Sequence, residues 1–336
     1  MSLSQLLDKL EAGSLGPEEI DAAFAVLMDG RAGHDEVKRF LALTTPLMRD
    51  PIWLASGARA LRTRMASVQA PDGAIDVCGT GGDGAHTLNI STAVAFVAAG
   101  CGVPVAKHGN RAMSSKSGAA DVLEALGVKL TADVPTLERC LNETGIAFLF
   151  AQNHHPAMAH VAAARRELGH RTIFNLLGPL ANPAGVKRQL VGVFSPDFVA
   201  PMAEALRELG CERAWVVHGA GGLDELAPGA DGNHIASLEH GVIAYDPSAA
   251  NAIAAPHRDL RGGTASENAE ELRALFDGAG RAGHREAVAL NAAAALIVAG
   301  WAKTIEDGDA LARNSIDSGA ARAALDKLVV ISWGAP

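Results

Sequence analysis

Apolar residues in the first 69 positions recur at helical spacing and predict helices only. Leu3, Leu6, Leu7 and Leu10 fall on one face of a first helix. Pro17 suits a first helical position, Glu18 and Glu19 occupy the first turn, and Ile20, Phe24, Ala25 and Leu27 carry the pattern to Gly30. Two further helices are predicted over 34–45 and 52–68. From Gly73 the pattern changes. Strands are predicted over 75–78, 103–106, 147–151, 189–194 and 214–217. Helices are predicted over 122–126, 135–143, 156–168, 201–209 and 269–276, with closing helices over 287–299 and 309–328. Such alternation is the mark of an α/β fold with a mainly parallel sheet and helices on both faces. A helical patch over 155–180 interrupts it and is expected to join the N-terminal helices. The expected division is therefore a helical domain over 1–69, joined by part of 155–185, and an α/β domain over 70–336.

Composition narrows the class. The 336 residues are 49% hydrophobic and 20% charged, ordinary for a globular enzyme, but only 4% aromatic. Alanine and glycine are abundant, so close helix packing through small side chains is expected. A formal charge of −9 argues against a general nucleic-acid binder, which needs a basic surface. Cys78, Cys101, Cys140 and Cys211 are widely spaced and show no metal-binding pattern, which fits free thiols in a reduced cytoplasmic compartment. The N-terminus has acidic residues and no long apolar core, so no signal peptide is expected. The apolar stretch over 287–301 is interrupted by Asn291 and is too short to span a bilayer, so no membrane partner is expected.

Candidate chemistry gathers after predicted strands. The loop Gly79-Thr80-Gly81-Gly82-Asp83-Gly84 follows the first, and a polar turn from Thr87 to Thr92 then opens an alanine-rich helix. The spacing is neither the dinucleotide GxGxxG nor the Walker pattern. Lys107-His108-Gly109-Asn110-Arg111 follows the second strand, and Ser114, Ser115, Lys116 and Ser117 extend the same hydrogen-bonding chemistry. Ligands of open α/β sheets bind beyond the carboxyl ends of strands, and free amides at helix starts favour anions there. Gly82 is expected to need a positive φ or close approach to a ligand. Arg165, Arg166 and Arg171 lie on or near the helix of the interrupting patch. Asp224 and Glu225, after the glycine-rich turn at 219–222, are adjacent acids that could hold a hard divalent cation.

Taken in order, GTGGD at 79–83, NIST at 89–92, KHGNR at 107–111, SGAADVLEALG at 117–127, RTIFNLLGPLANP at 171–183 and LDE at 223–225 resemble the anthranilate phosphoribosyltransferases. The resemblance implies a small N-terminal α-helical domain and a large α/β domain, the nucleoside-phosphorylase-like phosphoribosyltransferase architecture, and a homodimer formed through the helical domain. It implies that anthranilate and phosphoribosyl diphosphate, with Mg2+, give phosphoribosyl-anthranilate and diphosphate in tryptophan biosynthesis. Gly79, Gly82 and Asp83 match the family's glycine loop at phosphoribosyl diphosphate; Thr87, Asn89, Ile90, Ser91 and Thr92 match its phosphate-binding turn. Lys107, His108, Gly109, Asn110, Arg111, Ala112, Met113, Ser114 and Ser115 match a second phosphate-binding loop. Asn110 and Arg165 match anthranilate contacts, and Ser91, Asp224 and Glu225 match Mg2+ ligands. The family often has GSAD where this chain has Gly118-Ala119-Ala120-Asp121, so only a backbone contact is expected at Ala119. No nucleophile or base is assigned; His108 is either a proton relay or a structural histidine. Two alternatives share the architecture: a pyrimidine nucleoside phosphorylase, and a non-catalytic nucleic-acid-binding relative.

Overall fold

The computed structural model describes residues 1–112, 116–229, 232–249 and 257–334. Four helices lead the chain: α1 (Leu3–Glu11), α2 (Pro17–Met28), α3 (His34–Thr44) and α4 (Pro51–Arg62). Ser2 and Gln5 close a reciprocal capping box at the start of α1, and Pro17 stands at the first position of α2. Phe24 is the hub of their core, meeting Phe40, Trp53 and Phe174 edge-on with ring centroids 5.1, 6.1 and 6.2 Å away. Phe174 belongs to the patch expected to join these helices, and Val161, Ala164, Leu176 and Leu177 are buried in the same cluster. Helix α4 stops at Arg62, short of the predicted 68. The Ala66 and Val68 amides instead donate to the carbonyls of His154 and Pro183, at 2.9 and 3.1 Å, so 63–68 leaves the helix to follow the patch.

The α/β part runs β1 (Ile75–Gly79), α5 (Ile90–Gly100), β2 (Val105–Gly109), α6 (Ala119–Ala125), α7 (Val134–Thr144), β3 (Ile146–Phe150), α8 (Ala151–His154), α9 (Ala159–Leu168), β4 (Arg188–Gly192), α10 (Val199–Glu208) and β5 (Arg213–His218). It closes with β6 (Asn233–Glu239), β7 (Val242–Ala249), α11 (Ala265–Phe276), α12 (Ala282–Ala299), α13 (Ile305–Asp317) and α14 (Ala320–Ser332). The sheet order is β3-β2-β1-β4-β5-β6-β7. The five strands from β3 to β5 are parallel, and β6 and β7 add an antiparallel hairpin. That hairpin was not among the predicted strands: Asn233, His234, Ser237 and Glu239 break up any apolar run in β6. The helix predicted over 309–328 is two helices, broken where Gly319 takes φ +79°.

One apolar core lies between the sheet and α5, α12 and α14; its centre is alanine-rich, as composition suggested. The other joins the opposite face, through Val191, Val193 and Val216, to α10 and the N-terminal helices. Strand order reverses at β1, with β2 on one side and β4 on the other. Such a switch point opens a crevice at the strands' carboxyl ends. Among the described residues no helix is long and apolar enough to cross a membrane.

Candidate active site

The crevice is made by missing side chains. Gly79 and Gly192, the last residues of β1 and β4, pair in register. A Cβ on Gly192 would lie 1.5 Å from the backbone oxygen of Asp224, and one on Gly79 would lie 2.6 Å from its Oδ2. The loop after β5 therefore rests directly on the two strand ends. It is closed by the Gly219 amide donating to the Leu223 carbonyl at 2.8 Å. Asp224 Oδ2 accepts the Gly81 amide at 2.8 Å, which ties this loop to the glycine loop.

Asp83, Asp224 and Glu225 converge there, each with a carboxylate oxygen within 4.8 Å of the others. The sequence placed Asp83 only in the glycine loop; its acid among four glycines was the available signal for this further role. Burial and the neighbouring Asp83 push the Asp224 carboxyl up to about 6. Burial and Asp224 push Glu225 well above the usual carboxylate range. The single buried cation is Lys107, among the described residues of this cluster; its Nζ donates to the Val77 carbonyl at 2.6 Å and Ser91 Oγ at 3.3 Å. Burial lowers its pKa, while Asp76, Glu225 and Asp224 act to raise it. Asp83 Oδ2 and Glu225 Oε2 are buried with no hydrogen-bond partner among the described residues. Three close carboxylates, two of them with an unpartnered oxygen, are a donor set suited to a hard divalent cation.

The remaining predicted residues divide between exposed atoms and structural ties. Ile90 is fully buried in the core, and Thr92 is buried behind it, so α5 offers its first-turn backbone and Ser91 to the crevice. Asn89 is held by Asn268, whose Nδ2 donates to its Oδ1 at 2.8 Å, and Thr87 bridges to Arg261. In the second loop, Asp121 accepts the amides of Ala112 and Gly118 at 3.0 and 2.9 Å. Arg111 is engaged by Asp121 and Glu124 at 2.8 and 2.9 Å and stacks on Phe150. Asn110 is exposed beside Gly109, and Ala119 is the first residue of α6. Met113, Ser114 and Ser115 lie outside the described residues.

In the helical patch, Arg165 of α9 is half-buried, with Nη2 3.4 Å from Asn175 Oδ1 and its guanidinium over Phe174. Arg166 is exposed. His108, on β2, reaches towards this patch: its Nδ1 is 3.0 Å from the Gly178 carbonyl, and its ring centroid is 5.1 Å from that of His155. Burial, reinforced by His155, lowers its pKa to about 3, so it is neutral at physiological pH. Nδ1 must then carry the proton, leaving Nε2 as an acceptor. Arg171 donates through Nη2 to the Gly82 carbonyl.

A sheet crevice with a glycine loop and convergent acids suits a phosphorylated substrate and a divalent cation, and the comparisons place the chain among transferases. Residues 71–322 match the family described as "Glycosyl transferase family, a/b domain". The chain is 52% identical over 323 residues to an anthranilate phosphoribosyltransferase of Rhodospirillum rubrum, covering 95% of this chain and 92% of that protein. It is 49% identical over 331 residues to that of Xanthobacter autotrophicus, covering 97% and 96%. The crystal structure of the Thermus thermophilus enzyme superposes with a TM-score of 0.90 at 41% identity, covering 98% of this chain and 99% of that one. The Saccharomyces cerevisiae enzyme in complex with PRPP and Mg gives 0.86 at 25% identity, covering 99% and 98%. The chain belongs to the anthranilate phosphoribosyltransferase family.

The crowding of acids has a consequence for stability. With a pKa of about 6 in the folded protein and about 3.9 in the unfolded chain, Asp224 binds more protons when folded. Its contribution to stability therefore falls as pH rises from about 4 through 6. Asp224→Asn removes that contribution. In chelator-treated protein, the melting temperature of the variant relative to the natural chain should rise across this window. A difference that stays flat with pH would contradict the crowding of these carboxylates.

Proposed function

We propose that this chain transfers the phosphoribosyl group of phosphoribosyl diphosphate to the amine of anthranilate, giving N-(5-phosphoribosyl)anthranilate and diphosphate, a step of tryptophan biosynthesis. The observation that carries this reading is the convergence of Asp83, Asp224 and Glu225 on the glycine loop at the switch point. The family relationship favours it over the phosphorylase and nucleic-acid-binding alternatives.

The donor occupies the glycine loop at Gly79, Gly82 and Asp83, Thr87 with Asn89 and the first turn of α5 at 90–92, and the stretch 107–115, with the Ala119 backbone at its edge. The sequence sets that stretch after the second strand, but its first three residues, Lys107–Gly109, end β2. Asp224, Glu225 and Ser91 would hold Mg2+, which when bound would supply positive charge to the departing diphosphate. Lys107 keeps Ser91 oriented through its hydrogen bond and places a cation behind the acids. Amides at the start of α5 favour an anion. The bond from the ribosyl carbon to diphosphate oxygen breaks, and its electron pair leaves with diphosphate. The anthranilate nitrogen forms the new bond and loses one proton, to solvent or to the departing diphosphate. This amine is neutral at pH 7 and needs no strong base, so positioning and charge stabilisation do most of the work. Arg165 and Asn110 bind the acceptor, Arg165 gripping its carboxylate so that the amine stays free. The helical part and the α/β part act as two bodies meeting across this cleft, divided near residues 69 and 70. The enzyme works in the cytoplasm and pairs as a homodimer through the helical part, where Met1 and Ile52 are exposed.

Loss of anthranilate fluorescence on mixing protein, Mg2+, phosphoribosyl diphosphate and anthranilate tests the activity; no loss would refute it. In the same assay, Arg165→Ala should raise the anthranilate KM about 10- to 150-fold, the range expected for a lost hydrogen bond to a charged group. Donor affinity should change little. If Arg166→Ala shows the acceptor defect and Arg165→Ala does not, the acceptor assignment is wrong. Sedimentation should give a dimer mass at micromolar concentration; a monomer mass in active protein would remove the dimer reading.

A further inference from the structure

Three consecutive residues of the glycine loop are each held by a different element. The Thr80 amide donates to the Gly192 carbonyl at 2.9 Å, and Thr80 Oγ1 accepts from the Phe194 amide at 3.1 Å. The Gly81 amide donates to Asp224 at 2.8 Å. Gly82 is held through its carbonyl by Arg171. The Arg171 guanidinium carbon is 3.9 Å from the Phe194 ring centroid. A Cβ built on Gly82 would meet Arg171 Nη2 at 3.5 Å and Nε at 3.8 Å. The guanidinium is thus a layer between an aromatic ring and the loop backbone, and Phe194 is itself tied to the loop through Thr80.

Among the described residues no carboxylate forms an ion pair with Arg171, in contrast to Arg111, which has two. An exposed arginine stacked on a ring, without a counter-ion, keeps its charge and most of its planar fork available to an anion. Arg171 also belongs to the segment that carries Arg165 and Asn175.

On the donor-site reading above, we propose that Arg171 is a donor-positioning residue. It clamps the Gly82 carbonyl, so that the loop amides are preset for the donor. It also brings an unpaired positive charge to the diphosphate, from the chain segment that binds the acceptor. One side chain therefore joins the two substrate sites.

Calorimetry with phosphoribosyl diphosphate and Mg2+, steady-state kinetics for both substrates, and hydrogen exchange of donor-free protein over residues 79–88 test this. Arg171→Ala should weaken donor binding about 10- to 100-fold and leave the anthranilate KM within about threefold. Loop amides should exchange faster. Arg171→Lys should recover part of the donor affinity, because charge returns without the stacked fork. Phe194→Leu should be intermediate, because it removes only the ring beneath the guanidinium. Unchanged donor affinity in Arg171→Ala would overturn the proposal. So would a defect confined to the acceptor, or an equal loss of both substrates together with a lowered melting temperature. Failure of the natural chain itself to bind the donor would instead refute the donor-site reading. Loop exchange would then still decide the clamp, and unaltered exchange in Arg171→Ala would overturn it.

Discussion

The site depends on backbone meeting backbone where β1 and β4 end. Asp224 can sit over the sheet only because Gly79 and Gly192 have no side chains; its backbone oxygen occupies the place a Cβ would take. From that contact the rest follows. The Asp224 carboxylate reaches the Gly81 amide, Glu225 is carried towards Lys107, and Asp83 closes the acidic cluster. Open α/β sheets gain a crevice at the switch point; here the crevice is lined by acids because two glycines let a neighbouring loop descend onto it.

Burying acids together is unfavourable, and the protein keeps the arrangement under tension. Burial raises the pKa of both Asp224 and Glu225; Asp83 repels Asp224, Asp224 and Asp83 repel Glu225, and Lys107 offsets only part of the repulsion at Glu225. A group of carboxylates held this way gains most from a bound cation, because the cation removes the repulsion that folding imposed. His108 is kept neutral by burial, so it adds no competing charge beside Lys107. The segment that carries Arg165 is held differently. The patch behind Arg165 is packed by Phe174 and Leu177 into the core that holds Phe24, Phe40 and Trp53. The two segments therefore hold their chemistry by different means: hydrogen bonds and charge in one, apolar packing in the other.

Much of this was legible because periodicity and local chemistry agreed. The strands that became β1, β2, β3, β4 and β5 are short apolar runs ending beside glycine or polar clusters, and the N-terminal helices announce themselves by leucine spacing and caps. The ordered motifs marked both loops, and the adjacency of Arg165 and Arg166 implied that one faces inward. What could not be read involves partners distant in sequence. The hairpin β6–β7 pairs residues without an apolar run. Helix α4 ends early because backbone groups of 154 and 183 capture its continuation. Asp83 joins Asp224 and Glu225 only through the fold, and nothing local to Arg171 reveals that Gly82 and Phe194 lie on either side of it.

The most direct test is Gly192→Ala, measured by calorimetric titration of phosphoribosyl diphosphate with and without Mg2+. The added Cβ would lie 1.5 Å from the Asp224 backbone oxygen, so the acidic loop must lift. Circular dichroism should still report a folded chain, while the Mg2+-dependent part of donor binding is lost. A folded variant that binds the donor with undiminished Mg2+ dependence would contradict the account.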